Sequence, residues 1–136
     1  MKKILILGST GSIGQNTLND IRAFPDQFKV VALAAGSNLE ELKRQVDEWC
    51  PSWVCLAQKP SVEKILPALP SSVKALAGEQ GMIEIVQKKE VDLVVFATTG
   101  HLPMGDIFFE VLFNPAPNNI AEPVLIFTNS QTSALL

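Results

Sequence analysis

The chain has 136 residues, of which 47% are hydrophobic and 18% charged, and its formal net charge is −3. That length argues for one domain, and that apolar content excludes a disordered chain. The slight acidity speaks against a nucleic-acid-binding or membrane-surface protein, and no apolar run reaches the ~18 residues of a spanning helix.

The opening Met1-Lys2-Lys3 followed by Ile4–Leu7 imitates a signal peptide, but Gly8 ends the apolar run. It falls short of the ~7–15 residues of a signal core, so a cytoplasmic protein is expected. Lys3 to Leu7 is instead an unbroken apolar strand of the kind covered on both faces. Ser12 to Phe24 carries Ile13, Thr17, Leu18, Ile21 and Phe24 at helical spacing, and Pro25 stops it. Lys29 to Ala35 is the second strand and Gly36-Ser37-Asn38 a turn. Leu39 to Cys50 is a helix with a stripe of Leu39, Leu42, Val46 and Trp49, ended by Pro51.

Ser52 to Ala57 is the third strand, Pro60 to Leu69 a short helix and Val73 to Ala77 a fourth strand. Glu79 to Lys89 is a helix with Met82, Ile85 and Val86 inward, and Asp92 to Thr98 a strong strand. This alternation predicts an α/β fold: a Rossmann-like doubly wound sheet, mostly parallel, with helices on both faces. The character then changes. All eleven Lys and Arg lie at or before Lys89, while five of the seven Phe follow Glu90. Asp106 to Phe113 reads as a helix, Asn114 to Asn119 as a loop and Val124 to Thr128 as a last strand.

The sharpest motif is Gly8-Ser9-Thr10-Gly11-Ser12-Ile13-Gly14, a G-x-x-G-x-x-G between the first strand and the first helix. Gly8 lets the chain turn, Gly11 lets a pyrophosphate approach the backbone, and Gly14 lets the helix pack on the sheet. Thr10 and Ser12 add hydroxyls, and the first helical turn offers its N–H groups to an anion. A glycine-rich turn used only for packing is the plainer reading; the flanking strand and helix favour dinucleotide binding. At the end of the second strand, where NAD-preferring folds carry an acid, stand Ala34-Ala35-Gly36-Ser37-Asn38. The missing carboxylate points to NADP. Asn38 also suits a helix cap, and Arg44 is either a phosphate partner or part of a solvated face.

Ala97 to His101 form a candidate wall around the nicotinamide half, with His101 an acid or base only if something orients it. Cys50 and Cys55 make neither metal set nor redox pair and are expected to be reduced, buried thiols. Trp49 and Trp53 are expected to pack at a helix-to-strand corner.

The G-S-T-G-S-I-G run with Asn16-Thr17-Leu18, the segment from Phe28 to Asn38, and Leu42, Gln45, Pro51 and Gly78 resemble the amino-terminal domain of the 1-deoxy-D-xylulose 5-phosphate reductoisomerases, as does the strand from Val91 to Gly100. The resemblance covers about residues 1–100 of a single NADP-binding domain and fades over 101–136. It implies NADPH contacts at Thr10, Gly11, Ser12, Ile13, Gly36, Ser37 and Asn38. It implies an NADPH-dependent oxidoreductase of isoprenoid precursor synthesis, which turns a sugar phosphate into 2-C-methyl-D-erythritol 4-phosphate with Mg or Mn. Asn129 matches the family's asparagine in an alignment that needs an insertion; Ser130 and Gln131 then replace its lysine and glutamate.

The family's metal-binding acids, phosphate-binding residues, lid and carboxy-terminal helices would lie beyond residue 136. The chain alone is therefore expected to bind cofactor without turnover, to involve neither nucleic acid nor membrane, and to self-associate, as a homodimer or otherwise, through its late apolar residues. A standalone, non-catalytic dinucleotide-binding module is the alternative. Extended short-chain reductases are excluded because the chain has no tyrosine, and neither cysteine is placed as a semialdehyde dehydrogenase nucleophile.

Overall fold

The computed structural model describes residues 1–96, 125–127 and 134–135. In chain order come β1 (Lys2–Leu7), α1 (Ser12–Arg22), β2 (Phe28–Ala35), α2 (Leu39–Trp49), β3 (Trp53–Leu56), α3 (Lys59–Ile65) with a 3-10 turn (Leu66–Ala68), β4 (Lys74–Ala77), α4 (Gly78–Val86), β5 (Leu93–Phe96), β6 (Leu125–Phe127) and β7 (Ala134–Leu135). Among the described residues the strands form one sheet in the order β4-β3-β2-β1-β5-β6-β7. Neighbours pair in parallel up to β6, and β7 runs antiparallel to it. The Rossmann-like reading of the alternation is therefore met.

The order reverses at β1. The chain winds outward through β2, β3 and β4, then crosses back so that β5 pairs with the other side of β1. The carboxyl ends of β1 and β5 thus flank the switch point, where open α/β sheets bind ligands. The crossover is fastened at its base by Lys3 and Asp92: the Lys3 N–H donates to Oδ2 of Asp92 at 3.0 Å, and the Asp92 N–H returns a bond to the Lys3 carbonyl at 2.8 Å.

Each face of the sheet has its own apolar layer. On one, Ile4, Ile6, Val30 and Leu33 meet Leu18 and Ile21 of α1, Leu42 and Val46 of α2, and Ile65 of α3. On the other, Leu5, Leu7, Ala32 and Ala34 meet Met82, Ile85 and Val86 of α4. β2 departs from strict alternation. Its pairing with β1 slips between Ile4/Leu5, so Val31 is an extra residue, and Val31 and Ala32 both face the α4 layer. Such a bulge sharpens the local twist.

Several expected boundaries move. α1 stops at Arg22, and the last N–H groups form tighter bonds, Ala23 to Asp20 and Phe24 to Ile21. This swings Phe24 off the apolar stripe and leaves it 49% exposed. α4 ends at Val86 in the same way, with Gln87 bonded to Glu84. α2 ends one residue before Pro51-adjacent Cys50, which adopts a left-handed conformation (φ 49°) while its N–H bonds to Val46. Cys50 is exposed, which corrects the expectation of two buried thiols. Cys55 is buried, and burial, aided by the charge of Glu84, pushes its thiol up to about 12. The tryptophans pack as expected, Trp49 against the α1–α3 layer and Trp53 against the α4 layer.

The turn out of β1 is held by the sheet itself. Gly8 takes φ 83°, a conformation that side chains resist. The N–H groups of Gly8 and Ser9 both donate to the Ala34 carbonyl of β2, at 2.8 and 3.0 Å. Gly14, in the first turn of α1, then passes against this loop. A Cβ there would lie 2.3 Å from the Gly8 oxygen and 2.6 Å from Ser9 backbone atoms. Backbone cannot yield as a flexible side chain would.

Two outcomes are expected. Gly14→Ala should lower stability by about 2 kcal/mol or more, seen as a lower urea midpoint, as overpacking against backbone does. Native alkylation should modify Cys50 and spare Cys55 until the chain unfolds, as read by mass spectrometry.

Candidate functional site

Two loops meet at the carboxyl ends of adjacent strands. One is Gly8–Gly14 after β1; the other is Gly36–Asn38 after β2. The Leu7–Ala34 pairing and the Gly8 and Ser9 bonds to Ala34 set them side by side. Within the first, Gly11 is the N-cap of α1 in an extended conformation (φ −74°, ψ 173°) and offers no side-chain cap. The first-turn amides of the eleven-residue α1 therefore have neither a capping side chain nor an intrahelical partner. Partial positive charge accumulates there. Gly11 and Ser12 are exposed, Thr10 is half-buried, and Ile13 contributes a backbone N–H.

The glycines of the two loops divide into two kinds. Gly8 and Gly14 are required by the fold. Gly11 and Gly36 are not: neither has a positive φ, a Cβ on Gly11 would meet only the Gly8 oxygen at 3.7 Å, and one on Gly36 would meet nothing within 4 Å. Their bare surfaces leave clearance for something outside the chain.

In the second loop Ser37 and Asn38 are exposed, and Asn38 caps α2: its Oδ1 accepts from the Glu41 N–H at 3.1 Å. No acid stands at the end of β2, where Ala35 and Gly36 lie. Arg44 is not directed to this loop in the manner of a phosphate partner. Its Nε donates to both oxygens of Glu41, at 3.1 and 2.9 Å, and Nη1 reaches Glu48 at 3.3 Å. The solvated-face reading of Arg44 is the one observed. Its bonds to Glu41 hold that carboxyl below the usual carboxylate range. Glu41 is thus ionised at neutral pH, with its charge matched beside it.

Two glutamines that spacing did not single out hold the glycine loop. Gln15 donates from Nε2 to the Thr10 carbonyl at 2.9 Å. Gln45, wholly buried, donates from Nε2 to the Ser9 carbonyl at 2.8 Å across 36 residues of sequence. A signal for Gln45 was present: it lies three residues after Leu42 and one before Val46, on the inward stripe of α2, where a polar side chain is out of pattern. Among the described residues no group of three or more His, Cys, Asp or Glu could hold a metal ion. No described helix is long and apolar enough to cross a membrane. Ala97 to His101 and Asn129 lie outside the described residues.

With this geometry in hand, the likenesses to known proteins fall into place. The sequence pattern of the family described as 1-deoxy-D-xylulose 5-phosphate reductoisomerase matches residues 4–106. The enzyme of that name from Shouchella clausii is 42% identical over 102 residues, which are 75% of this chain and 27% of that protein. A DOX-P reductoisomerase crystallised with fosmidomycin and magnesium superposes with a TM-score of 0.73 at 27% identity, covering 93% of this chain and 31% of the other. The Zymomonas mobilis enzyme in complex with NADPH gives 0.66 at 30% identity, covering 73% and 26%. The chain therefore spans about a quarter to a third of the length of these relatives. With more than half of its residues inside the family's pattern, the chain belongs to the 1-deoxy-D-xylulose 5-phosphate reductoisomerase family.

Proposed function

We propose that this chain is the NADPH-binding domain of a 1-deoxy-D-xylulose 5-phosphate reductoisomerase. The observation that carries the reading is the pair of open glycines, Gly11 and Gly36, which the fold does not need and a bound dinucleotide does. The pyrophosphate lies over the first turn of α1, against the N–H groups of Gly11, Ser12, Ile13 and Gly14, with the hydroxyls of Thr10 and Ser12 beside it. Gly8 shapes the turn. The ribose 2′-phosphate lies at Gly36, Ser37 and Asn38, where no carboxylate repels it. Capping α2 uses only the oxygen of Asn38, and its NH2 group is a separate donor. Asn129 belongs to the proposed set through the resemblance alone.

When bound, NADPH supplies hydride; the chain supplies position and a fixed field. The described residues fit no metal ion. Taken alone, the chain binds cofactor without turnover. In a full-length enzyme the same domain would serve reduction of a sugar phosphate in isoprenoid precursor synthesis.

Calorimetric titration of the chain should show NADPH binding at least roughly tenfold tighter than NADH, a difference of ~1.4 kcal/mol. Equal affinities would remove the 2′-phosphate assignment, and no binding of either would remove the cofactor reading. Gly11→Val should weaken NADPH by about 1–3 kcal/mol, roughly fivefold to a hundredfold or more, while the urea midpoint falls by no more than the ~1 kcal/mol that a poorer N-cap residue costs. Gly36→Asp should reverse the preference toward NADH, since a carboxylate accepts from a ribose diol and repels a phosphate.

A further inference from the structure

We propose that Gln45 is a positioning residue that holds the two cofactor loops at one separation; the inference rests on the NADPH reading above. Its Nε2 carries two hydrogens, and they meet two acceptors: the Ser9 carbonyl at 2.8 Å and Oε1 of Glu41 at 3.4 Å. Two acceptors on one side settle which end of the carboxamide is nitrogen. Ser9 belongs to the glycine loop. Glu41 stands in the first turn of α2 and is tied to the Gly36–Asn38 loop, because its own N–H is capped by Asn38 at 3.1 Å. A continuous path runs from Ser9 through Gln45 and Glu41 to Asn38, and Arg44 steadies Glu41 from the solvent side.

Placement on the stripe of Leu42 and Val46 makes the residue costly. A buried carboxamide destabilises unless its bonds are made, and here Oε1 of Gln45 and the hydroxyl of wholly buried Ser9 find no partner among the described residues. Packing alone would be better met by leucine or methionine. What the carboxamide adds is orientation. In a trans peptide the carbonyl and the next N–H point opposite ways, so drawing the Ser9 oxygen toward α2 turns the Thr10 N–H away from α2. The same side chain fixes where Glu41, and with it the Asn38 cap, stands relative to that N–H.

The test compares the wild-type chain with Gln45→Met and Gln45→Glu, titrated by NMR with NADPH, which spans both loops, and with two probes that each reach one: 2′-AMP and inorganic pyrophosphate. For Gln45→Met, NADPH should weaken by roughly tenfold and each single-loop probe by about twofold or less, because only a spanning ligand gains from a fixed separation. NADPH affinity unchanged, or both probes weakened as much as NADPH, overturns the proposal; the second result would mark a damaged loop. Gln45→Glu, read only over the pH range in which its urea midpoint matches that of the wild type, adds a second readout, and it decides the matter if the methionine variant fails to fold. A carboxylate cannot donate to Ser9, but a protonated carboxyl can, and burial raises its pKa. NADPH affinity relative to wild type, measured at each pH, should recover as pH falls; a flat ratio overturns the proposal. Wild-type binding with indifferent variants sinks this inference alone, whereas a wild type that ignores NADPH sinks the reading beneath it as well.

Discussion

The first turn of α1 presses on the backbone of the loop that feeds it, so closely that Gly14 has no room for a methyl group. Much of the nucleotide end depends on that approach. It requires Gly8 to turn back at a positive φ, and it uses the Ala34 carbonyl of the neighbouring strand to anchor Gly8 and Ser9. It also leaves the helix start lying over the end of β1, uncapped and partly exposed. A bare helix terminus is a poor arrangement for stability and a good one for an anion. Packing and binding are thus two results of one geometric demand.

Much of this was legible in the sequence because the determining signals are local. An unbroken run such as Ile4–Leu7 next to lysines has no other comfortable place than the centre of a parallel sheet. The glycine spacing carries the turn and the close helix in its own residues. What escaped depends on partners distant in sequence. Phe24 fits the helical stripe, yet the tightened last turn puts it in solvent. Cys50, flanked by Trp49 and Pro51, looks like core, and its left-handed conformation turns it outward. The extra residue Val31 sits in a run of apolar residues that gives no sign of where alternation breaks.

At the site, the small residues were visible, whereas the bonds of the residues that brace them were not. Spacing identifies Gly11 and Gly36, but only the three-dimensional clearance separates them from Gly8 and Gly14. Arg44 could be placed near the second loop from its position on α2, but its engagement with Glu41 and Glu48 emerges only when the helix surface is built. Gln45 illustrates the general difficulty. A single polar residue on an apolar stripe announces that something is bonded, but the partner, 36 positions away, is known only from the fold.

The two tryptophans stand at opposite walls of the sheet although only three residues separate them. Trp49 lies in the α1–α3 layer with the Arg22 guanidinium 5.6 Å from its ring centre; Trp53 lies in the α4 layer with the Lys88 ammonium at 5.2 Å. Because the chain contains no tyrosine, its near-ultraviolet emission comes from these two indoles, one reporting on each side. Nature has supplied a pair of optical gauges, and replacing either with phenylalanine would let the loosening of one wall be timed against the other.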